Sequence, residues 1–213
     1  MEDYAKAIYA LQREAESVAT TVLAERLGVT PASASAMVKR LGGLGLVTHE
    51  PYRGVALTPA GERVALEVMR HHRLLELYLA ETLGMPWDRV HAEAEVLEHV
   101  ISEELEELIA AKLGNPTRDP HGDPIPSADL EIDEGDSVPL QALEPGARGV
   151  FVRVSDSDPE MLRYLAERGV GVGAALEVLD KQPFDGPVFV RIGADTHALG
   201  GALARAMRVE VAG

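Results

Sequence analysis

One helix must end and another begin within the few residues from Gly28 to Pro31, and that break fixes the geometry of the N-terminal segment. TTVLAERLG runs up to Gly28, which sits where a helix C-cap glycine sits. Thr30 can cap the next helix and Pro31 suits its first turn, so PASASAMVKRLGGLG restarts at once. Two short helices joined by a Gly-containing turn form a helix-turn-helix. Upstream, EDYAKAIYALQREA is amphipathic, with Tyr4, Ile8 and Leu11 at helical spacing. Downstream, LVTHE and GVALT alternate as strands around PYRG, and TPAGERVAL opens a further helix. Residues 1–63 therefore read as a winged helix-turn-helix, with Tyr52, Arg53 and Gly54 at the wing tip.

Charge decides what such a segment can approach. The chain has a formal net charge of −15, which on its own argues against a polyanionic partner. The acidity is segregated, however. Residues 1–63 hold seven basic and seven acidic side chains, residues 64–113 four against eleven, and residues 114–213 nine against seventeen. The N-terminal segment is left free to meet nucleic acid. The second helix of the pair offers a small, hydroxylated surface at Thr30, Ala32, Ser33, Ser35 and Ala36, followed by Lys39 and Arg40. Small residues let a helix sit deep in a major groove, hydroxyls meet base edges or phosphates, and cations neutralise the backbone. Arg53, beside Tyr52 on the wing, adds a phosphate contact. Double-stranded DNA is the expected partner; a helical hairpin that only packs is the alternative.

Residues 64–113 read as two longer helices broken at GMPWD, and they concentrate a different chemistry. In HAEAEVLEHVISEELEEL, taken as one continuous helix, His91, Glu95, Glu98 and His99 fall within an arc of roughly a hundred degrees. Eleven acids lie between Glu67 and Glu107, so a merely solvated face is the competing reading. The preceding helix, MRHHRLLELYLAETLG, supplies His72 and Glu76 as an i,i+4 pair next to His71. Adjacent helices that each offer His plus Glu are how bundle metal sites are assembled. With no cysteine in the chain, the ligand set is imidazole and carboxylate, which suits a divalent first-row ion. The apolar positions of the two helices exceed what one pair can hide, so a homodimer interface is expected here. Paired half-sites about 34 Å apart on DNA would match such a dimer.

The rest of the chain is punctuated differently. Residues 114–145 are rich in Pro, Gly and Asp and read as a linker with turn chemistry. Residues 146–213 alternate short apolar strands with Gly- and Asp-marked turns, as in a small β-barrel. GVGVGA lacks the spacing of a dinucleotide fingerprint and reads as a turn into a strand. The fold class is thus mainly α with β. Absent cysteine excludes a disulfide scaffold, and no stretch is apolar enough to span a membrane, so a cytoplasmic location is expected.

Taken together, EDYAKAIYAL, the YRGVALTPAG wing, HHRLLE, VHAEAEVLEH and PHGDPIP resemble the diphtheria-toxin-repressor-like metalloregulators, in particular their manganese-responsive branch. The resemblance runs the full length and implies an SH3-like barrel at the C-terminus. It implies one metal site from Asp3, Glu95, Glu98 and His99, and a second from His72, Glu76 and His91 with a carboxylate of the barrel, Asp158 or its neighbour Glu160. Sulfur ligands of the iron-responsive branch are replaced here by Asp3 and Glu95, which implies Mn(II) first and Fe(II) second, with Zn(II), Co(II) or Cd(II) able to bind in vitro. Lys6 stands where the manganese branch carries a further acid, so a closely bridged metal pair is not expected. The implied function is a metal-dependent repressor of metal-homeostasis genes, acting as a homodimer on a palindromic operator. A winged-helix repressor with an organic effector is the alternative. A metal-dependent hydrolase is disfavoured because no H-E-x-x-H motif occurs.

Overall fold

The structure is a computed structural model that describes residues 1–13, 15–50 and 54–212. It divides into two compact units, Met1–His71 with Pro126–Glu131, and His72–Ile125 with Ile132–Gly213.

In the first unit, α1 (Glu2–Gln12), α2 (Thr20–Arg26) and α3 (Pro31–Gly43) precede a hairpin of β1 (Val47–Glu50) and β2 (Gly54–Leu57). Ala7, Ile8, Leu23, Val38 and Leu41 from the helices bury against Val18, Val47 and Val55. The break between α2 and α3 forms as the sequence requires. Gly28 takes φ +63°, and the Thr30 hydroxyl accepts the Ser33 N–H at 3.1 Å. Replacing Thr30 by alanine removes that acceptor and should cost about 1 kcal/mol in urea unfolding. Val18 pairs with Val55 in an isolated bridge and adds a third edge to the wing. Gln12 reinforces it by accepting the Leu57 N–H at 2.9 Å. The wing tip at Tyr52 and Arg53 lies outside the described residues.

The second unit takes the C-terminal part of α4 (Pro59–Leu83), then α5 (Val90–Leu97) and α6 (Glu103–Lys112). Leu74, Leu75, Leu77, Ala94, Ile109, Ala110 and Ile125 form their shared core. Val96, Val100, Leu105 and Leu108 remain exposed, the apolar surplus that the sequence pattern anticipates. Here the structure corrects the single helix expected across His91–Leu108. The helix stops at Leu97, Glu98 is its C-cap, and His99 lies in the following turn. It restarts because Ser102 accepts the Leu105 N–H at 3.3 Å and three acids fill the first turn of α6.

The remaining strands form one antiparallel sheet in the order β3 (Val138–Pro139), β8 (Met207–Val211), β4 (Arg148–Val154), β5 (Ala175–Lys181), β6 (Val188–Ile192), β7 (Asp195–Leu199). With α7 (Pro159–Ala166) and α8 (Gly201–Ala206) it encloses Phe151, Val154, Leu162, Leu165, Val178, Val190 and Met207. This is the expected small SH3-like domain, and GVGVGA is indeed the turn into β5. The expected linker is corrected. Residues 121–126, HGDPIP, are continuously buried, with Asp119 buried just before them. The Arg73 guanidinium donates to the Pro124 carbonyl and pairs with Asp123, so this turn-rich segment is a core element. Among the described residues, no helix is long and apolar enough to cross a membrane.

Candidate metal centre

The chain lays a cluster of imidazoles and carboxylates across α4, α5 and the turn before α7. One turn of α4 separates His72 from Glu76, and both are buried. His72 Nε2 lies 3.0 Å from Glu76 Oε1 and 3.1 Å from His91 Nδ1 at the start of α5. His91 Nδ1 is in turn 3.1 Å from Glu76 Oε1 and 2.9 Å from Asp156 Oδ2. One ligand atom from each of the four residues lies within 4.8 Å of all the others. Bonds of about 2.1 Å place neighbouring ligands of an octahedral ion about 3 Å apart, so this spacing fits a divalent cation. His72 Nδ1 is 2.5 Å from Glu98 Oε2, a carboxylate–imidazole contact that turns Nε2 into the pocket. Glu98 also approaches His99 Nε2 at 3.5 Å and groups with His72 and Glu95 as a second potential ligand set.

Sharing Glu76 with this pocket is a third group, which the sequence pattern does not reveal. Glu76, Asp119 and His121 present ligand atoms within the same distance of one another, and all three are buried. Glu76 Oε2 stands 3.8 Å from His121 Nδ1, and neither atom has a hydrogen-bond partner among the described residues. Such an orphaned pair is costly without a cation or proton between them. The Asp119 side chain accepts the backbone N–H groups of His121 and Asp123, both at 2.8 Å, and so shapes the turn. The signal was present as a His and two acids within DPHGD, but turn composition concealed it.

The electrostatics of the cluster favour positive charge within it. Burial would raise the Glu76 carboxyl, but His121, His72 and His91 outweigh it and hold the group well below its usual range. Burial likewise opposes ionisation of Asp156, and His91 reverses the effect. Asp156, and then Glu76, raise His91 to about 10. Burial would lower His121, yet Glu76 and Asp119 bring it to about 9. Asp119 is pushed well above its usual range by burial and by Asp123 and Glu76. His91 and His121 thus favour the protonated form at neutral pH, and a metal ion binding there would displace those protons. Apparent metal affinity should rise about tenfold per pH unit for each proton released, up to the region of these pKa values. Calorimetric titration in two buffers of different ionisation enthalpy counts the protons.

Of the residues proposed from sequence, His72, Glu76 and His91 converge directly. Glu95 is at the pocket's rim, 3.9 Å from His91 Nε2, and Glu98 and His99 adjoin it. Asp3 lies exposed in the first turn of α1. The carboxylate that groups with His72, Glu76 and His91 is Asp156, not Asp158. Asp158 precedes Pro159 and is used as the N-cap of α7, accepting the Glu160 N–H at 2.9 Å, while Glu160 lies near Arg163. In the first unit, Thr30, Ala32, Ser33, Ser35, Ala36, Lys39 and Arg40 all lie exposed on or just before α3, opposite buried Ala34, Val38 and Leu41.

A winged helix-turn-helix joined to a helical imidazole–carboxylate site and a small β-domain defines a metal-dependent transcriptional regulator. Residues 1–55 match the model "iron dependent repressor, N-terminal DNA binding domain", and residues 58–127 match its "metal binding and dimerisation domain". Residues 138–211 match the FeoA domain. The match to the middle domain thus reaches residue 127, into the first part of the 114–145 segment. The chain is 34% identical to the iron-dependent repressor IdeR of Mycobacterium tuberculosis, covering 98% of this chain and 96% of that one. It is 30% identical to the diphtheria toxin repressor of Corynebacterium diphtheriae over the same shares. Among solved structures, a manganese-dependent transcriptional repressor in complex with manganese superposes with a TM-score of 0.92 at 44% identity, covering 99% of both chains. The manganese regulator SloR gives 0.79 at 30%, covering 99% of this chain and 98% of that one. The chain belongs to the iron-dependent repressor family, whose members are transcriptional repressors.

Proposed function

We propose that this protein is a Mn(II)-responsive repressor that binds a palindromic operator as a homodimer in the cytoplasm and controls metal-homeostasis genes. The observation that supports manganese is the pocket of His72, Glu76, His91 and Asp156, whose ligand atoms are imidazole nitrogen and carboxylate oxygen without sulfur. The manganese complex named among its structural relatives agrees with that choice. Fe(II) is the second reading, favoured by the iron-dependent repressors to which the chain is similar. Zn(II), Co(II) and Cd(II) also suit this donor set in vitro, and a relative, ScaR, has been solved with zinc and with cadmium.

Bound metal would supply positive charge among carboxylates that otherwise repel one another. Glu76 and Asp156 then face a cation in place of shared protons, and Glu98 holds His72 in its ligating tautomer. The family resemblance assigns Asp3 to the same ion as Glu95, Glu98 and His99. On that assignment, loading joins the first helix of the DNA-binding domain to the dimerisation domain and favours the DNA-competent arrangement. On DNA, the face of α3 with Thr30, Ala32, Ser33, Ser35 and Ala36 enters the major groove. Lys39 and Arg40 meet phosphates, as does Arg53 beside Tyr52 on the wing.

An operator titration with and without Mn²⁺ tests the reading. Metal should tighten DNA binding by roughly 5–150-fold. Glu98→Ala and His99→Ala should remove that gain; if both bind DNA as wild type does at every metal concentration, the metal mechanism is wrong. Arg40→Ala should weaken binding to all sequences alike and reduce the salt slope by about one unit, measured by anisotropy at several salt concentrations.

A further inference from the structure

The turn between α4 and α5 contains Trp87, the only tryptophan of the chain, and it touches both the ligand cluster and the C-terminal domain. The Trp87 carbonyl accepts from His121 Nε2 at 2.7 Å, and its indole stacks on the His121 ring with centroids 5.9 Å apart. The same indole donates through Nε1 to the Leu162 carbonyl of α7 at 3.1 Å. The next residue, Asp88, accepts from the Arg163 guanidinium at 3.2 Å. One two-residue turn therefore grips consecutive residues of α7 while holding an imidazole of the buried cluster.

The chemistry of His121 makes that grip consequential. With the Nε2 proton committed to the Trp87 carbonyl, the Nδ1 atom faces Glu76 Oε2 across 3.8 Å. The tautomer and the ring plane are thus set by Trp87, not by the ligands. The segment that leads into α7 carries Asp156, which sits 2.9 Å from His91. A displacement of α7 would therefore disturb the cluster from two directions, through Asp156 and through Trp87 with His121.

We propose that the Trp87–Asp88 turn is a clasp that links metal loading to the docking of α7, with Trp87 as a positioning residue for His121. The inference rests on the metal-responsive reading above. Because the linkage is reciprocal, loading must tighten α7 as much as docked α7 favours loading. Trp87→Phe keeps an aromatic face against His121 and deletes the donor to Leu162, with some loss of packing against the core. Asp88→Asn removes the charge that pairs with Arg163 and leaves Trp87 intact.

Hydrogen exchange of residues 160–166 and Mn²⁺ affinity by calorimetry, on the full-length chain, form the test. In the wild type, Mn²⁺ should slow exchange in α7. In Trp87→Phe the turn whose carbonyl holds His121 loses its anchor on α7, so affinity should fall by up to about tenfold, the lower end of the loss seen when a partner that orients a metal-binding histidine is removed. The metal-dependent slowing should shrink in parallel. Should Trp87→Phe fail to fold, Asp88→Asn provides the same readout and should show the same loss of metal-dependent slowing. Wild-type protein that takes up Mn²⁺ without slowing α7, or variants that match it in both measures, would overturn the clasp and leave the metal reading intact. Wild-type protein that takes up no Mn²⁺ overturns both.

Discussion

Glu76→Gln is expected to reduce Mn²⁺ affinity on the order of a hundredfold or more, beyond the usual cost of losing an orienting partner. This carboxylate is fully buried and shared by every part of the cluster, with His72 at 3.0 Å, His91 at 3.1 Å and His121 at 3.8 Å. The amide keeps the shape but removes the charge and offers only one acceptor oxygen. The metal-free protein should also be weakened. Removing one partner of a buried charge cluster typically costs about 3 kcal/mol or more, because the remaining charges stay buried.

The pH window of that weakening follows from the shifts. Glu76 is lowered in the folded state, so its contribution is present above its unfolded value of 4.5 and lost as pH falls through the folded value. His91 and His121 are raised, so their contributions are complete below 6.5 and lost as pH rises through about 10 and about 9. The difference between wild type and Glu76→Gln should therefore be largest near pH 5–7 and shrink towards pH 10. Denaturant titrations at pH 6 and pH 10 measure it. An equal difference at both pH values, or Mn²⁺ binding within threefold of wild type, would place the charge elsewhere.

What was legible in the sequence was what local chemistry dictates. Gly28, Thr30 and Pro31 announce the helix-turn-helix because a left-handed glycine and a capping hydroxyl need no distant partner. His72 and Glu76 were legible because the helix alone brings them to one face. The break after Leu97 was not, since good helix formers such as Glu and Leu run through it and only Ser102 marks the restart. The burial of HGDPIP was hidden for a different reason. Its composition is that of a turn, and contacts with residues distant in sequence, Arg73, Trp87 and Arg153 among them, turn it into core. Asp156 and Asp158 differ by two positions, and choosing between them required knowing that Pro159 would begin a helix. Local signals located the candidate ligands on the helices; long-range packing supplied Asp119, His121 and Asp156.

That long-range packing makes a sharp prediction at Gly122. Gly122 adopts φ +86°, where a side chain is strained, and it lies against the backbone of β4. A Cβ added there would stand 1.9 Å from the Val152 carbonyl oxygen and 2.9 Å from the Arg153 Cα. Both are backbone atoms of β4, held on either side of Val152 by the pairing of Phe151 and Arg153 with β8. Gly122→Ala should therefore destabilise the protein by about 3 kcal/mol or more, combining left-handed strain of about 1–2 kcal/mol with the cost of overpacking. The flanking His121 carbonyl, which accepts the Val154 N–H at 2.9 Å, would be displaced with it, and Mn²⁺ affinity should fall as His121 leaves Glu76. Gly114 supplies the control, with φ +77° and nothing within 4 Å of an added Cβ. Gly114→Ala should cost the strain alone, about 1 kcal/mol, and leave metal binding unchanged. Urea unfolding of the two variants side by side separates strain from close approach: equal losses would mean that the buried turn does not press against β4 and that the cluster is held by its side chains alone.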